Sequence, residues 1–361
     1  MNAIIATVLV ALAACMSTAG DAQPASITTI GAPHKILGPS SQIDSVYATV
    51  RDRHGLHAYL SNTQVLWFDQ RANGSLHNRR VVMSAGGRGS IDQCGVHPVG
   101  TIYKDPAAPR SHWIGFYHAE RAAPADAGRC NHPDNHTRWT IVRMQSFNGG
   151  RTWHKGDPVV TQDQALLSSN GRWSYRTDDS GSPRLVVRRG FMYLFYRAVN
   201  RTSGFRQQMS IARAPVASRG KAGTWRKWHN GSFTEPGVGG QQSPISGLPP
   251  QARGISYNSY LGEYLAVRAD ITGIELFRTA GRNLLVWEPY QRLTRTGLTH
   301  SSWGQDCGRR GTPVAYGYGS IVGLNGSSSG SGQRFWVYYM KKPDGKCFDS
   351  RYLFRRLVKL G

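Results

Sequence analysis

The sequence predicts an all-β protein, and more specifically a five-bladed β-propeller of four-stranded antiparallel blades. The 361-residue chain is rich in turn formers and aromatic residues, with 42 Gly, 18 Pro, 10 Trp and 16 Tyr. Long stretches lack the 3.6-residue apolar period of an amphipathic helix, so many short strands joined by turns are expected. A strongly aromatic strand also recurs five times, which is the repetition expected of propeller blades.

The recurring aromatic strand indicates the number of blades. Its occurrences are separated by 47, 80, 71 and 71 residues, counted between Trp67, Ile114, Leu194, Leu265 and Trp336. Four-stranded blades account for such intervals when the loops vary in length. The short first interval indicates that a segment near the N-terminus completes the last blade and closes the ring. The five predicted strands are Gln64–Gln70, His112–Glu120, Phe191–Val199, Glu263–Ala269 and Arg334–Lys342.

Residues 1–22 have the features of a signal peptide. Their apolar run, AIIATVLVALAA, is too short to span a bilayer and is followed by small residues. This predicts a secreted or periplasmic protein without a membrane span, in which residues 23–43 form an N-terminal extension and residues 44–361 form the propeller. The sequence "LAAC" ending at Cys15 also resembles a bacterial lipobox, which would leave the mature protein lipid-anchored.

Four cysteines remain once such a leader is removed, an even number in an export-permissive setting. Two disulfides are therefore expected. Pairing of sequence neighbours, Cys94 with Cys130 and Cys307 with Cys347, is the simplest of the three connectivities. No CxxC spacing is present, so a zinc site is not expected.

The chain is strongly basic, with 44 Lys and Arg against 21 Asp and Glu and a formal charge of +23. A dispersed positive field attracts polyanions. No module that reads nucleic acid is recognisable, so the expected partner of this exported monomer is a polysaccharide, and an acidic one fits the charge. A basic composition with no specific binding role is the competing interpretation.

The stretch "SFNGGRTW", Ser146 to Trp153, follows predicted strands at "GVHPVGTIY", "HWIGFYHAE" and "RWTIVRMQS" and leads into a fourth. It resembles the Asp-box turn S-x-D-x-G-x-T-W of sialidase-like propellers, with Asn148 in place of the Asp. The resemblance implies a structural turn held by side-chain-to-backbone hydrogen bonds, with Trp153 packed between sheets. An ordinary Gly-Gly hairpin is the alternative.

Two further segments resemble propeller glycosidases. Blade four contains "YNSYLGEY" followed by "NLLVW", Asn283 to Trp287, which is similar to a pattern of the arabinanase and β-xylosidase superfamily. Blade one, "RDRHGLHAYLSNTQVLWFDQ", resembles the opening of secreted endo-D-arabinanases. Two aspartates carry the chemistry in that group, and the matching positions are Asp52 and Asp69. These resemblances imply a five-bladed propeller and hydrolysis of O-glycosyl bonds.

Glycoside hydrolysis requires two carboxyl groups that flank the scissile bond. Asp52 and Asp69 are the first choice for this pair, with Asp179 and Glu235 in reserve. Acids that precede the inner strands would form a ring around the axis. Besides the two reserve residues, this group contains Asp92, Asp178 and Asp306. Each of them is also explained as a turn former.

The segment "FYHAE" in blade two suggests a second chemistry. His118 and Glu120 point to the same face of an extended strand, so they can act on one ligand. A His with Tyr and Arg nearby is the equipment of a polysaccharide lyase that acts on a uronate-containing glycan. A His–Glu bond between blades would instead be structural. The other predicted substrate-binding residues at the mouth are Arg197, Tyr257, Trp303 and Asp306.

The sequence thus predicts a secreted carbohydrate-active protein, and first of all a glycoside hydrolase with a carboxylate pair in the propeller channel. A polysaccharide lyase and a non-catalytic carbohydrate-binding propeller are the alternatives. No nucleotide or flavin cofactor is expected, because no Gly-rich strand-turn-helix motif occurs. A structural calcium ion in the channel is compatible with the prediction.

Overall fold

The computed structural model confirms an all-β, five-bladed β-propeller. It describes residues 26–98, 100–122, 130, 137–163, 180–199, 207–296, 314–343 and 350–361. The strands in this part of the chain form five sheets that follow one another in sequence, antiparallel except for one short parallel strand in the fourth. The same residues contain no helix that is long and apolar enough to cross a membrane.

Each blade begins with an inner strand and proceeds outward through antiparallel neighbours. Blade one contains β2 (Ala48–Asp52), β3 (Gly55–Ser61), β4 (Gln64–Gln70) and β5 (Leu76–Ser84). Blade two contains β6 (Gly95–Pro98), β8 (Trp113–Ala122), β9 (Thr137–Ser146) and β10 (His154–Val160), and β7 (Tyr103–Lys104) also pairs with β8. Blade three contains β11 (Ser180–Arg188), β12 (Phe191–Val199), β13 (Gln207–Pro215), β14 (Arg226–His229) and β15 (Ser232–Pro236), with a 3₁₀ turn at Val216–Ser218.

The last two blades complete the ring. Blade four contains β16 (Ala252–Asn258), β17 (Glu263–Asp270), β18 (Gly273–Thr279) and β19 (Trp287–Arg295), and the parallel strand β21 (Gly330–Ser331) pairs with β16. Blade five contains β20 (Ala315–Gly323), β22 (Arg334–Lys342), β23 (Tyr352–Leu360) and, outermost, β1 (Ile27–Leu37).

The ring is closed by β1, which pairs antiparallel with β23. Ile27 lies opposite Leu360 at one end of the pair and Leu37 lies opposite Leu353 at the other. The expectation that an N-terminal segment completes the last blade is therefore confirmed. The segment 23–43, which the sequence suggested as an extension, contributes this propeller strand.

The recurring aromatic strand is not the same strand in every blade. In four blades it is the second strand, namely β8, β12, β17 or β22, whereas in blade one it is the third strand, β4. The short first interval of 47 residues comes from this difference in strand and is not evidence of ring closure. Three blades also carry a fifth strand, so the prediction of four strands per blade was too regular.

The apolar core is divided into five clusters, each between two neighbouring blades. Trp113, Trp225 and Trp287 are buried in the first three clusters, between blades one and two, two and three, and three and four. Phe335 and Tyr338 are buried in the last two, between blades four and five and between blades five and one. Because every blade is sandwiched between two others, the inner strands are held at fixed positions around the axis.

The turn at Ser146–Trp153 forms the hydrogen-bond network that its resemblance to the Asp-box implied. Ser146 Oγ accepts a hydrogen bond from the backbone N–H of Gly150 at 2.8 Å. Asn148 Oδ1 accepts one from the backbone N–H of Thr152 at 3.0 Å, and Asn148 Nδ2 donates to Thr152 Oγ1 at 2.8 Å. The amide of Asn148 therefore fills the place of the expected carboxylate.

This turn fastens blade two to blade one. Gly150 has φ +81°, and a Cβ there would lie 2.2 Å from Tyr59 Oη and 2.6 Å from the ring of Trp113, so only glycine fits. The Trp153 ring meets that of Tyr59 edge-on at 6.2 Å, and its backbone N–H donates to the carbonyl of Val82 at 3.3 Å. The Gly-Gly turn thus packs against Tyr59 and Trp113 and, with Trp153, joins blade two to blade one.

Candidate functional site

Polar side chains from all five blades meet around the propeller axis, at the end of the channel where the inner strands begin. We call this group the axial cluster. It comprises Asp44, His97, His118, Glu120, Arg184, Arg197, Arg253, Tyr318 and Arg351. The chain brings them together because β2, β6, β11, β16 and β20 surround the same axis, so residues at or near their first half converge.

Asp44 is held by two donors from blade five. Tyr318 Oη donates to Asp44 Oδ1 at 2.5 Å, and the guanidinium of Arg351 forms an ion pair with the same carboxylate. Burial and the charge of Asp44 raise the pKa of Tyr318, so its hydroxyl stays protonated and donates. The two contacts fix the position of the Asp44 carboxylate between blade one and blade five.

Glu120 lies beside two histidines. Its Oε1 is 3.5 Å from Nε2 of His97 and 3.5 Å from Nε2 of His118, and the two imidazole rings are 5.3 Å apart. Burial lowers the pKa of His97, although the charge of Asp44 acts in the opposite direction. Burial also lowers the pKa of His118, and the charges of Arg197, Arg253 and Arg184 act in the same direction. Both imidazoles are therefore neutral near pH 7.

Four guanidinium groups surround these acids. Arg184 is 3% exposed, and burial and the charge of Arg253 lower its pKa, yet an arginine remains charged in proteins. Arg197 stacks on the ring of Trp139 at 4.2 Å, and Arg253 lies 5.1 Å from the ring centre of Tyr318. Among the described residues the axial cluster has four arginines and two carboxylates, so it favours an anionic ligand.

A second group of acids lies at the other end of blade one. His57 on β3 binds both Asp52, through Nε2 at 2.9 Å, and Asp69, through Nδ1 at 3.0 Å. Burial raises the pKa of Asp52, but hydrogen bonds from His57 and from the backbone of His54 outweigh it, so the net pKa is lowered. A cavity of about 220 Å³ borders the group, with Arg80 and Arg151 among its lining residues.

This second group is remote from the axial cluster. Asp44 precedes β2 and Asp52 ends it, so the five-residue strand, roughly 16 Å long, separates them. The structure thus brings together Asp52 and Asp69, as the sequence predicted, but through one shared histidine. Because His57 occupies an oxygen of each carboxylate, these two groups are arranged as a clamp at the turn between β2 and β3.

The other predicted site residues are distributed over several places. His118, Glu120 and Arg197 belong to the axial cluster, whereas Tyr257 lies near the other end of inner strand β16. Glu235 was expected ahead of the inner strand of blade four, and this placement was wrong. The extra hairpin of β14 and β15 carries Glu235 to the outermost strand of blade three, where it accepts a hydrogen bond from the backbone N–H of Gln241 at 3.1 Å.

Several predictions fall outside the described residues: Asp178, Asp179, Trp303, Asp306, Cys307 and Cys347. Of the predicted disulfides, Cys94–Cys130 is present, with a Cα–Cα distance of 5.2 Å. Asp92 has a structural role, since it is 2% exposed and forms an ion pair with Lys155 at 2.5 Å. Among the described residues no group of three or more His, Cys, Asp or Glu side chains is arranged to hold a metal ion.

Sequence reasoning missed several members of the axial cluster. Asp44 could have been found, because it lies four residues before the inner strand of blade one, much as Asp92 lies three residues before that of blade two. Arg184, Arg253 and Arg351 carry no comparable pattern in the sequence. Their convergence depends on how the ring closes, which no local motif encodes.

Comparison with known proteins supports the fold. No protein-family model matches the sequence, and no curated protein shows a significant sequence match. A family 117 glycoside hydrolase from the marine bacterium Zobellia galactanivorans has a TM-score of 0.52 and 8% identity, covering 93% of this chain and 90% of the other. A protein of unknown function from Dyadobacter fermentans has a TM-score of 0.51 and 10% identity, covering 93% and 99%.

Other similar structures include the catalytic domain of a GH62 α-L-arabinofuranosidase from Coprinopsis cinerea, with a TM-score of 0.48, 11% identity, and coverage of 93% of this chain and 97% of that one. At these identities the likeness concerns the fold. The five-bladed fold of this chain is therefore similar to the fold of that family 117 glycoside hydrolase.

Proposed function

We propose that the protein is a glycoside hydrolase that acts on an acidic polysaccharide at the axial cluster. One observation carries the proposal: two carboxyl groups, Asp44 and Glu120, reach the axis from adjacent blades with His97 beside both of them. Hydrolysis of a glycosidic bond needs such a pair. The resemblance of the sequence and fold to propeller glycosidases supports the same reaction class.

The surroundings of the two carboxyl groups suggest different roles. Asp44 forms an ion pair with Arg351 and accepts a hydrogen bond from Tyr318, and a carboxylate held by these two donors is assigned the role of general base or nucleophile. Glu120, whose Oε1 lies 3.5 Å from Nε2 of both His97 and His118, is assigned the role of general acid. The arginines of the cluster would bind the carboxylate or sulfate groups of the substrate.

The test is a reducing-end assay on neutral and uronate-rich polysaccharides. Asp44→Asn and Glu120→Gln are expected to lower the rate by about 100-fold or more. Asp52→Asn, which changes the clamp around His57, serves as the matched control and is expected to keep most of the rate. Loss of activity in the control, with Asp44→Asn still active, would transfer the catalytic role to Asp52 and Asp69.

A polysaccharide lyase is the second candidate, and His118 is the observation that favours it. His118 is buried and neutral, and the charges of Arg184, Arg197 and Arg253 act on it. In a lyase step His118 would take the proton alpha to a uronate carboxylate while the arginines neutralise that carboxylate. The bond from the β-carbon to the glycosidic oxygen then breaks, a carbon–carbon double bond forms, and Tyr318 protonates the leaving oxygen.

Measuring ultraviolet absorbance and reducing ends in the same reactions distinguishes the candidate functions. A lyase forms an unsaturated product that absorbs in the ultraviolet, ignores neutral glycans and is inactivated by His118→Ala. A hydrolase releases reducing ends without that absorbance. Retention of glycan with neither product would identify a carbohydrate-binding propeller.

Export of the protein is part of the proposal. Residues 1–22 and the lipobox-like Cys15 suggest a cleaved leader and either a free or a lipid-anchored mature form. N-terminal sequencing and the intact mass of the mature protein distinguish these forms, because cleavage before Cys15 adds a lipid mass and cleavage near residue 22 does not.

A further inference from the structure

The channel has a second mouth at the end opposite the axial cluster. A cavity of about 780 Å³ lies there, and segments from all five blades line it. Inner strands β2, β11 and β16 contribute their final residues, since β2 ends at Asp52, β11 at Arg188 and β16 at Asn258. Its volume falls within the range of small-molecule binding sites.

Among the described residues, five basic side chains and no Asp or Glu line this cavity. We call this group the basic mouth. It comprises Arg51, Lys104, Arg188, Arg189 and Arg282. Positive charges around one cavity repel each other, and the low dielectric constant of the surrounding protein strengthens that repulsion. An anion in the cavity would relieve it.

The basic side chains are held in place without being neutralised. Arg51 Nε donates to the carbonyl of Asn325 at 2.8 Å, and Arg282 Nε donates to the carbonyl of Gly262 at 3.0 Å. Arg188 donates to the carbonyl of Arg282. Backbone carbonyls orient these guanidinium groups but carry no net charge. Within the described part of the chain, none of the three forms an ion pair with a carboxylate.

Lys104 adds a partly buried cation to the same mouth. Its Nζ contacts the carbonyl of Arg51 and lies 5.2 Å from the ring centre of Trp113. Burial lowers the pKa of Lys104, and the charge of Asp52 counteracts this only in part. An anionic ligand would therefore also stabilise the charged form of this lysine.

The rest of the lining fits a sugar. Tyr257 and Tyr264 meet edge-on at 5.2 Å on one side of the cavity, and Ser327 and Ser329 lie on another. Aromatic faces, hydroxyls and guanidinium groups together bind pyranose rings that carry carboxylate or sulfate groups.

We propose that the basic mouth is a second binding site for an acidic oligosaccharide, separate from the axial cluster. Arg51, Arg188 and Arg282 would bind its carboxylate or sulfate groups, and Tyr257 would contact a sugar ring. The inference does not depend on catalysis, because it concerns binding at the far end of the channel.

Calorimetric titration tests the proposal with oligogalacturonate, a sulfated oligosaccharide and a neutral xylo-oligosaccharide as probes. The first two arms distinguish carboxylate from sulfate as the preferred group. The test variant is Arg188→Gln with Arg282→Gln. The matched control is Arg79→Gln with Arg334→Gln, which removes the same charge from two exposed positions outside the mouth. Unchanged thermal unfolding establishes that both variants are folded.

The expected result is that an acidic oligosaccharide binds at the mouth of the wild type, whether or not it also binds at the axial cluster. The mouth variant is expected to lose this binding event or weaken it at least tenfold, while the control changes less than twofold, and the neutral probe does not bind at the mouth. An equal loss of affinity in both variants would show that only the net positive charge of the protein attracts the ligand, and it would overturn the proposal. Displacement of the oligosaccharide by a short single-stranded DNA at lower concentration would also overturn it in favour of nucleic acid. Catalytic failure of the axial cluster would appear in the reducing-end assay and not in this titration.

Discussion

Replacing Asn148 by aspartate should stabilise the protein, because the turn that contains it already presents donors to a carboxylate. Asn148 Oδ1 accepts hydrogen bonds from Ser146 Oγ at 3.0 Å and from the Thr152 backbone N–H at 3.0 Å. The hydroxyl of Thr152, which now accepts from Asn148 Nδ2 at 2.8 Å, can rotate and donate instead. All three contacts would then be charge-assisted.

The expected gain can be set from these three contacts. A neutral hydrogen bond contributes about 1 kcal/mol and a charge-assisted one roughly twice that. Position 148 is exposed, so screening by solvent leaves a net gain of about 0.5–1 kcal/mol. For a chain of this size we expect the melting temperature to rise by about 1–3 °C.

Differential scanning calorimetry of Asn148→Asp, Asn148→Ala and a control measures the effect. Asn148→Ala is expected to lose about 2 kcal/mol with its three contacts. The control is Asn230→Asp, which makes the same charge change at a position whose side chain has no hydrogen bond to the described residues. An equal rise in the control would assign the gain to net charge.

The pH dependence gives a second check on the same variant. The donors of the turn lower the pKa of the new carboxylate below its unfolded value of about 3.9. Its stabilisation is therefore present above about pH 4 and is lost as the pH falls through the folded pKa. A variant that is no more stable than wild type at pH 7, or whose advantage grows in acid, would refute the reasoning.

Three further predictions concern stability. Burial lowers the pKa of Lys227 to about 7, against about 10.4 in an unfolded chain. The unfolded state then binds more protons between these values, so the melting temperature of wild type relative to Lys227→Met should rise as the pH increases from 7 to 10. Replacement of Cys94 and Cys130 by serine should cost about 2–4 kcal/mol in thermal unfolding, since their bond spans 36 residues, and dithiothreitol should destabilise that variant less than it destabilises the wild type. His57→Gln should lower stability by about 1–3 kcal/mol in urea unfolding, because a carboxylate that His57 now binds loses its donor.

The repeat of aromatic strands was sufficient to predict the blades, because each blade buries aromatic and apolar residues against its neighbouring sheets. It was not sufficient to assign each strand to its place, since Trp67 on a third strand looks the same in sequence as Leu194 on a second. The Asp-box turn was predicted accurately, as its contacts join residues at most four positions apart.

The site was predicted less well than the fold. His118 and Glu120 could be placed on one face from their spacing of two residues on a single strand, β8. Asp44 was passed over in favour of Asp52, although both flank the same strand. The sequence of one blade does not show which end of its inner strand is surrounded by more polar side chains, because those side chains come from the other four blades.

Pairing of β1 with β23 also determines when folding can finish. Strand β1 is synthesised long before its partner, and until the final strand arrives it remains an unpaired, hydrogen-bonding edge that other chains can capture. The backbone N–H of Gly361 donates to the carbonyl of Ser26 at 2.6 Å, so a change at this position would disturb the pairing of β1 with β23. Aggregation of this protein is therefore expected to begin at the β1–β23 pair rather than at any of the four contacts between consecutive blades.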